Sequence, residues 1–236
     1  IIGAEALIRM HHPEKGLLAP ADYIDVAEES GLIIKIDEWG LSQACHQAKL
    51  WQIQLPHRVK IAVNISVHTF LRGDLITLVE TALTESGLEP DLLELEITEN
   101  SFIEQDSIAL NILNSLKNMG ISMSIDDFGT GYSSLSYLKC FPVDGLKIDQ
   151  SFIRDVITDN DNAAIVKAII AMAHSLNLTI VAEGVETKEQ KQFVEETGCQ
   201  YMQGYLFAKP MKASEFLQLL VLEQAGLNKT LKLYNQ

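Results

Sequence analysis

Basic residues are in short supply: 18 Lys and Arg stand against 32 Asp and Glu, a formal net charge of -14 over 236 residues. That balance disfavours non-specific binding to nucleic acid or to acidic lipid surfaces, so no DNA or RNA duplex and no membrane contact is expected. An anionic substrate would need metal ions or local Arg and Lys. Cysteine is scarce too. Cys45, Cys140 and Cys199 are isolated, with no CxxC pair, which argues against a thiolate zinc site. Isolated thiols also suit a reducing compartment, either as a cytoplasmic protein or as the cytoplasmic part of a membrane-anchored one. There is no signal peptide and no apolar run of 18 residues, so no segment is expected to span a bilayer.

What is present is a core. At 47% hydrophobic and 21% charged residues, the chain suits one large globular domain over residues 1–236. An α/β barrel of about 250 residues is such a domain. The chain opens in an apolar strand-like segment without an initiator Met, which reads as a domain cut from a longer protein.

Taken in order, the pattern alternates strand with helix. Ile1 to Arg9 reads as a strand with Glu5 and Arg9 near its end, followed by a loop at His11 to Gly16. The paired histidines His11 and His12, beside Pro13 and Gly16, read as turn residues. Helices are expected over Pro20–Glu29, stopped by Gly31, and over Asp37–Gln52, with Trp39, Leu41 and Trp51 in the core. The β-branched run Val59–Ser66 places Asn64 near a strand end. A helix over Asp74–Glu85 closes at Gly87. Asp91–Glu99 alternates strictly, with Leu93, Leu95 and Ile97 on one face and Glu94 and Glu96 on the other. Helix Asp106–Met119 precedes a strand ending at Asp126 and Asp127. Further strands end near Lys147, Glu183 and Gln203, with helices expected over Asn162–Leu176, Lys188–Thr197 and Ala213–Gln224.

Seven strands, nearly all followed by helices, make an eightfold (β/α) barrel lacking one strand. Such barrels gather their active sites at the C-terminal strand ends. Those ends here offer Glu5, Asn64, Glu96, Asp126, Asp127, Lys147, Glu183 and Gln203. Buried carboxylates need a metal or a cation. Carboxylates with one amide, and no His or Cys, form an oxygen set suited to Mg²⁺ or Mn²⁺. Two such ions about 3.5–4 Å apart can clamp the attacking and leaving oxygens of a phosphodiester. Lys147 could orient the water or neutralise a phosphoryl oxygen; its structural alternative is a partner for Glu94 or Asp149. Successive strand side chains oppose each other, so Asp126 and Asp127 can share a site only if the strand ends between them, a break that Gly129 and Gly131 suit. The loop Phe128–Ser134 is not a P-loop, because no Gly-Lys-Ser/Thr follows.

Glu5-Ala-Leu-Ile-Arg9, Val63-Asn64, Glu96-Ile-Thr-Glu99, Asp126-Asp-Phe-Gly-Thr-Gly-Tyr132, Lys147-Ile-Asp149, Glu183-Gly-Val-Glu186 and Gln203-Gly-Tyr205, in this order, resemble the EAL-domain family. The resemblance implies a cyclic di-GMP phosphodiesterase that yields linear pGpG with two Mg²⁺ or Mn²⁺ ions, on a modified TIM-type barrel whose first strand is antiparallel. By that likeness Glu5, Asn64, Glu96 and Asp126 hold one metal, and Asp126, Asp127 and Glu183 the second. It also implies that Lys147 touches the nucleophilic water, Gln203 supports the metal-water cluster, and Leu7, Arg9, Asp149 and Glu186 contact substrate. Glu99 would anchor the Asp127 loop, which in the family lies near a homodimer interface. Regulatory domains are expected in the full-length chain. Ile8, Met10 and Gln150 depart from the residues common in the family, and its opening Tyr-Gln-Pro strand is absent, so another strand is expected ahead of Ile1. The alternative, a cyclic di-GMP receptor without turnover, is disfavoured by intact ligands.

Overall fold

Short β-branched runs separated by capped helices fold as the pattern predicts. In this computed structural model, residues 1–99, 106–131 and 135–224 are described. The chain divides into two compact units, Ile2–Met123 and Ser124–Gln236, the latter including Ile1.

In the first unit, β1 (Gly3–Ala6) is followed by a small antiparallel hairpin, β2 (Met10–His12) and β3 (Gly16–Leu18). Helices α1 (Ile24–Glu29) and α2 (Ile33–Gln54) lead to β4 (Lys60–Ile65), which pairs in parallel with β1. Then come α3 (Val67–Arg72), α4 (Leu75–Ser86), β5 (Leu93–Thr98), parallel to β4, and α5 (Asp106–Asn118). Leu93, Leu95 and Ile97 are buried and so is Glu96, as in a parallel sheet covered on both faces. α4 starts at Asp74, whose carboxylate accepts from Thr77 N–H, and stops at Gly87 in the left-handed conformation.

β6 (Ser122–Phe128) carries the chain into the second unit, where α6 (Leu135–Cys140), β7 (Gly145–Ile148), α7 (Gln150–Arg154), α8 (Asn160–Ser175), β8 (Thr179–Ala182), α9 (Lys188–Glu196), β9 (Tyr201–Met202) and α10 (Ala213–Gln224) follow. β6, β7, β8 and β9 pair in parallel, each with the next. Seven parallel strands joined through helices are the repeat of a TIM-type barrel, the expected α/β class in its modified, seven-strand form.

Four local expectations need correcting. The first strand stops at Ala6, not Arg9, because the chain turns into the β2–β3 hairpin, which places His11 and His12 in β2 rather than in a turn; His12 Nδ1 accepts from the N–H groups of Glu14 and Lys15 in the turn that follows. α2 begins four residues earlier than expected. Trp51 is in the core but Trp39 is 56% exposed, on the outer face of α2. The five- and six-residue helices α3, α6 and α7 were not foreseen, since so short a segment shows no apolar period; α3 and α7 are instead held by side-chain caps from Ser66 and Asp149.

Candidate active site

The second unit holds a compact ionic group. β6 does not end between Asp126 and Asp127. Ile125 pairs with Leu146 and Phe128 with Ile148, so two residues of β6 stand opposite Lys147 alone, and Asp127 takes a positive φ of 52°. This is a β-bulge, which breaks the two-residue alternation and lets neighbouring carboxylates face the same way. Asp tolerates the left-handed conformation better than most residues. Glu183, just past Ala182 at the end of β8, completes the group: one carboxylate oxygen each of Asp126, Asp127 and Glu183 all lie within 4.8 Å of one another.

Lys147 binds this group from β7. Its Nζ lies 2.7 Å from Glu183 Oε1 and 3.2 Å from Asp126 Oδ1, and the side chain is buried. Of the two structural partners considered for it, Glu94 instead approaches Lys60 Nζ at 4.0 Å, and that lysine also donates to Ser122 Oγ at 2.9 Å. Glu94 therefore belongs to the opposite strand ends, two residues before Glu96.

Partial burial pushes the Asp127 carboxyl up to about 6, helped by the neighbouring Asp126 charge and by a hydrogen bond to Asp149 and its charge, while Lys147 opposes the rise. Asp149 also caps α7, accepting from Ser151 N–H at 2.9 Å and from the Ser151 hydroxyl. Gln203 is exposed just beyond β9, and its N–H donates to Ala182 O at 2.8 Å, next to Glu183. Glu186 is exposed three residues past Glu183.

In the first unit, Glu5 on β1, Asn64 on β4 and Glu96 on β5 stand at successive strand ends. Asn64 Nδ2 donates to Glu5 Oε1 at 2.6 Å, and Asn64 is the register partner of Glu96. Glu99 lies one residue past Thr98, beyond the end of β5, and is buried. Leu7 is exposed beyond β1, and Arg9 donates from Nη1 to Ile8 O at 2.8 Å. Tyr132, Ser133 and Ser134 of the glycine loop lie outside the described residues.

The donor set fits a hard divalent cation. Three converging carboxylates in one unit, and two carboxylates with an amide at adjacent strand ends of the other, provide oxygen ligands alone. Sequence reading missed two residues that hold these elements. Asp37 Oδ2 accepts from Ser66 N–H at 3.0 Å and from Ser66 Oγ at 2.6 Å, docking the end of β4 on α2. Gln190 is the other; a Thr-x-x-Gln capping pattern at Thr187–Gln190 is its readable signal.

The EAL domain family matches residues 1–210. Among curated relatives, the bifunctional diguanylate cyclase/cyclic di-GMP phosphodiesterase MucR of Pseudomonas aeruginosa is 47% identical over 217 residues, 92% of this chain and 32% of its own length. The cyclic di-GMP phosphodiesterase PdeR of Escherichia coli is 40% identical over 212 residues, 90% of this chain and 32% of PdeR. The chain thus spans about a third of these relatives. Among solved structures, the PaMucR phosphodiesterase in complex with c-di-GMP superposes with a TM-score of 0.89 at 47% identity, covering 92% of this chain and 87% of that one. The FimX EAL domain from Pseudomonas aeruginosa, bound to c-di-GMP, gives 0.78 at 27% identity, with 87% and 82% covered.

Proposed function

Because the chain belongs to the EAL domain family, we propose that it is a metal-dependent phosphodiesterase that hydrolyses cyclic di-GMP to linear pGpG. The observation that carries this reading is the Asp126–Asp127–Glu183 oxygen group with Lys147 against two of its members. Relatives named as cyclic di-GMP phosphodiesterases, and a relative solved with the dinucleotide, support the substrate.

In this reading Asp126, Asp127 and Glu183 would hold one Mg²⁺ or Mn²⁺, and Glu5, Asn64, Glu96 and Asp126 would hold the other. Such ions supply charge for the attacking water and the leaving oxygen of an in-line displacement. The chain's own groups do the rest. Lys147 points its ammonium at the water and keeps Asp126 and Glu183 in place. Arg9 neutralises a substrate phosphate, and Leu7, Asp149 and Glu186 contact the substrate. Gln203 steadies the metal-water cluster, and Glu99 anchors the loop after Asp127. Water adds to phosphorus, one P–O3′ bond breaks, and the released 3′-oxygen takes a proton, which opens the ring to pGpG. A homodimer and attached regulatory domains belong to the same proposal, checked by light scattering and in the full-length chain. No helix among the described residues is long and apolar enough to cross a membrane.

Chromatography of cyclic di-GMP incubated with the protein tests the reading. Conversion to pGpG is expected with Mg²⁺ or Mn²⁺ and little with Ca²⁺, whose longer bonds and looser coordination misplace the clamped oxygens. Binding of the dinucleotide without turnover in Mn²⁺ would make the protein a receptor instead.

A further inference from the structure

Gln190 sits on α9, seven residues beyond Glu183, and is only 6% exposed. Its carboxamide makes three hydrogen bonds. Oε1 accepts from Glu186 N–H at 2.8 Å and from Thr187 N–H at 2.9 Å, and Nε2 donates to Arg154 O at 3.1 Å, 36 residues upstream. A capping box accounts for the Thr187 bond alone, the return reach from the third helical residue to the N-cap backbone. The other two exceed what starting α9 requires. They tie the segment Glu183–Glu186 to the last residue of α7.

The same segment meets the first residue of α7. Gly184 has a φ of +68°, and a Cβ built there would stand 2.6 Å from Gln150 Cβ, so the backbone runs flush against the start of α7. Elsewhere the segment is held by Glu183 N–H to Ile148 O, Val185 N–H to Gln203 O and Leu206 N–H to Val185 O. No helix or strand contains residues 183–186. Their position follows from these single bonds, and Gln190 supplies the bond at Glu186 and the link to Arg154. α7 in turn is capped by Asp149, the residue directly after β7. One buried amide therefore connects the segment carrying Glu183 and Glu186 with the helix that follows Lys147 and Asp149.

We propose that Gln190 is a positioning residue for this site: it sets where Glu183 and Glu186 stand relative to α7, and so the affinity of the carboxylate group for its ion. The proposal rests on the metal-dependent reading above. Glutamine alone among side chains of this length offers an acceptor for two N–H groups and a donor for a carbonyl. Partners of this kind, which orient ligands without touching the ion, alter metal affinity by about 10–100-fold when removed.

The test is calorimetric Mn²⁺ titration of the metal-stripped chain, beside kcat and KM for cyclic di-GMP at saturating Mn²⁺, for the parent, Q190M and Q190E. Q190M keeps the volume and loses every hydrogen bond; the expected result is Mn²⁺ affinity lowered about tenfold and kcat lowered about tenfold, with KM changed less than about threefold. Q190E keeps the acceptor for both N–H groups but loses the donor to Arg154 O and sets a carboxylate against that carbonyl, so its Mn²⁺ affinity should also fall below the parent's, by about threefold or more. If Q190M fails to fold, Q190N takes its place, since an amide one methylene shorter cannot reach both Glu186 and Arg154. A variant that melts earlier but keeps the parent's Mn²⁺ affinity and kcat overturns the proposal and leaves Gln190 a helix cap. A parent that binds no Mn²⁺ overturns the metal-dependent reading itself, a result distinct from equal binding by parent and variant.

Discussion

Lys147 Nζ stands 2.7 Å from Glu183 Oε1 in a buried position where three carboxylates converge. The ammonium offsets repulsion among Asp126, Asp127 and Glu183.

Lys147→Met should therefore destabilise the metal-free protein, because removing one partner of a buried pair leaves uncompensated charge and costs about 3–5 kcal/mol. Added Mn²⁺ should recover more of the melting temperature in the variant than in the parent. Turnover should fall by about 100-fold or more at saturating Mn²⁺. Thermal melts with and without Mn²⁺, together with the nucleotide assay, read all three effects. Equal Mn²⁺-induced shifts in parent and variant would count against this role.

Asp126 and Asp127 should behave differently. Asp126 is the member proposed to serve both ions, so Asp126→Asn should weaken both binding events, whereas Asp127→Asn should weaken mainly one. Both variants should fold, since each removes a charge from an acidic group, and Asn tolerates the positive φ of 52° at position 127. Calorimetric titration with Mn²⁺ ranks them. Loss of both events in Asp127→Asn, with one spared in Asp126→Asn, would assign the shared carboxylate wrongly.

Asp37 gives a pH test away from the metal group. Burial raises its carboxyl above the ordinary carboxylate value, and the hydrogen bonds from Ser66 and Thr69 only partly offset that rise. A raised folded-state pKa means that the folded protein holds the proton more tightly. The contribution to stability is then fully present below the ordinary pKa and is lost as pH rises through the folded value. Asp37→Asn keeps an acceptor for Ser66 without the charge, so it should be more stable than the parent at about pH 7.5, an advantage that shrinks by about pH 4.5. Asp37→Ala should lose about 1–3 kcal/mol at either pH, because two donors of Ser66 lose their acceptor. Urea unfolding at the two pH values decides between these signs.

Gly204→Ala should be severe. A Cβ at position 204 would lie 2.3 Å from Val185 O and 2.4 Å from Val185 N, at a φ of +154°. Relief requires parting the backbone of Gln203 and Gly204 from Val185, the contact that aligns the ends of β8 and β9. A stability loss above about 3 kcal/mol is expected, with Mn²⁺ affinity falling alongside. A variant melting within about 2 °C of the parent would show that the loop relaxes freely.

By itself the sequence determined the seven strands of the parallel sheet and the polar residue near each end, though not the β2–β3 hairpin, because period-two alternation, β-branching and flanking turn residues are local and survive without tertiary context. Glu5, Asn64, Glu96, Asp126, Asp127, Lys147, Glu183 and Gln203 were all legible as strand-end groups on that basis. The ordered motifs identified the family for the same reason: they are properties of the chain, not of its packing. What the tertiary structure alone decided were relationships across distance. A bulge, not a strand end, turns Asp126 and Asp127 to one side, since it arises from the register of β6 against β7. Lys147 meets Asp126 and Glu183, whereas Glu94 lies at the start of β5 and pairs with Lys60. Trp39 stays in solvent while Trp51 is buried, a difference set by which face of α2 meets its neighbours. Gln190 reaches Arg154 across 36 residues of chain, and only the tertiary fold brings that carbonyl within hydrogen-bonding distance.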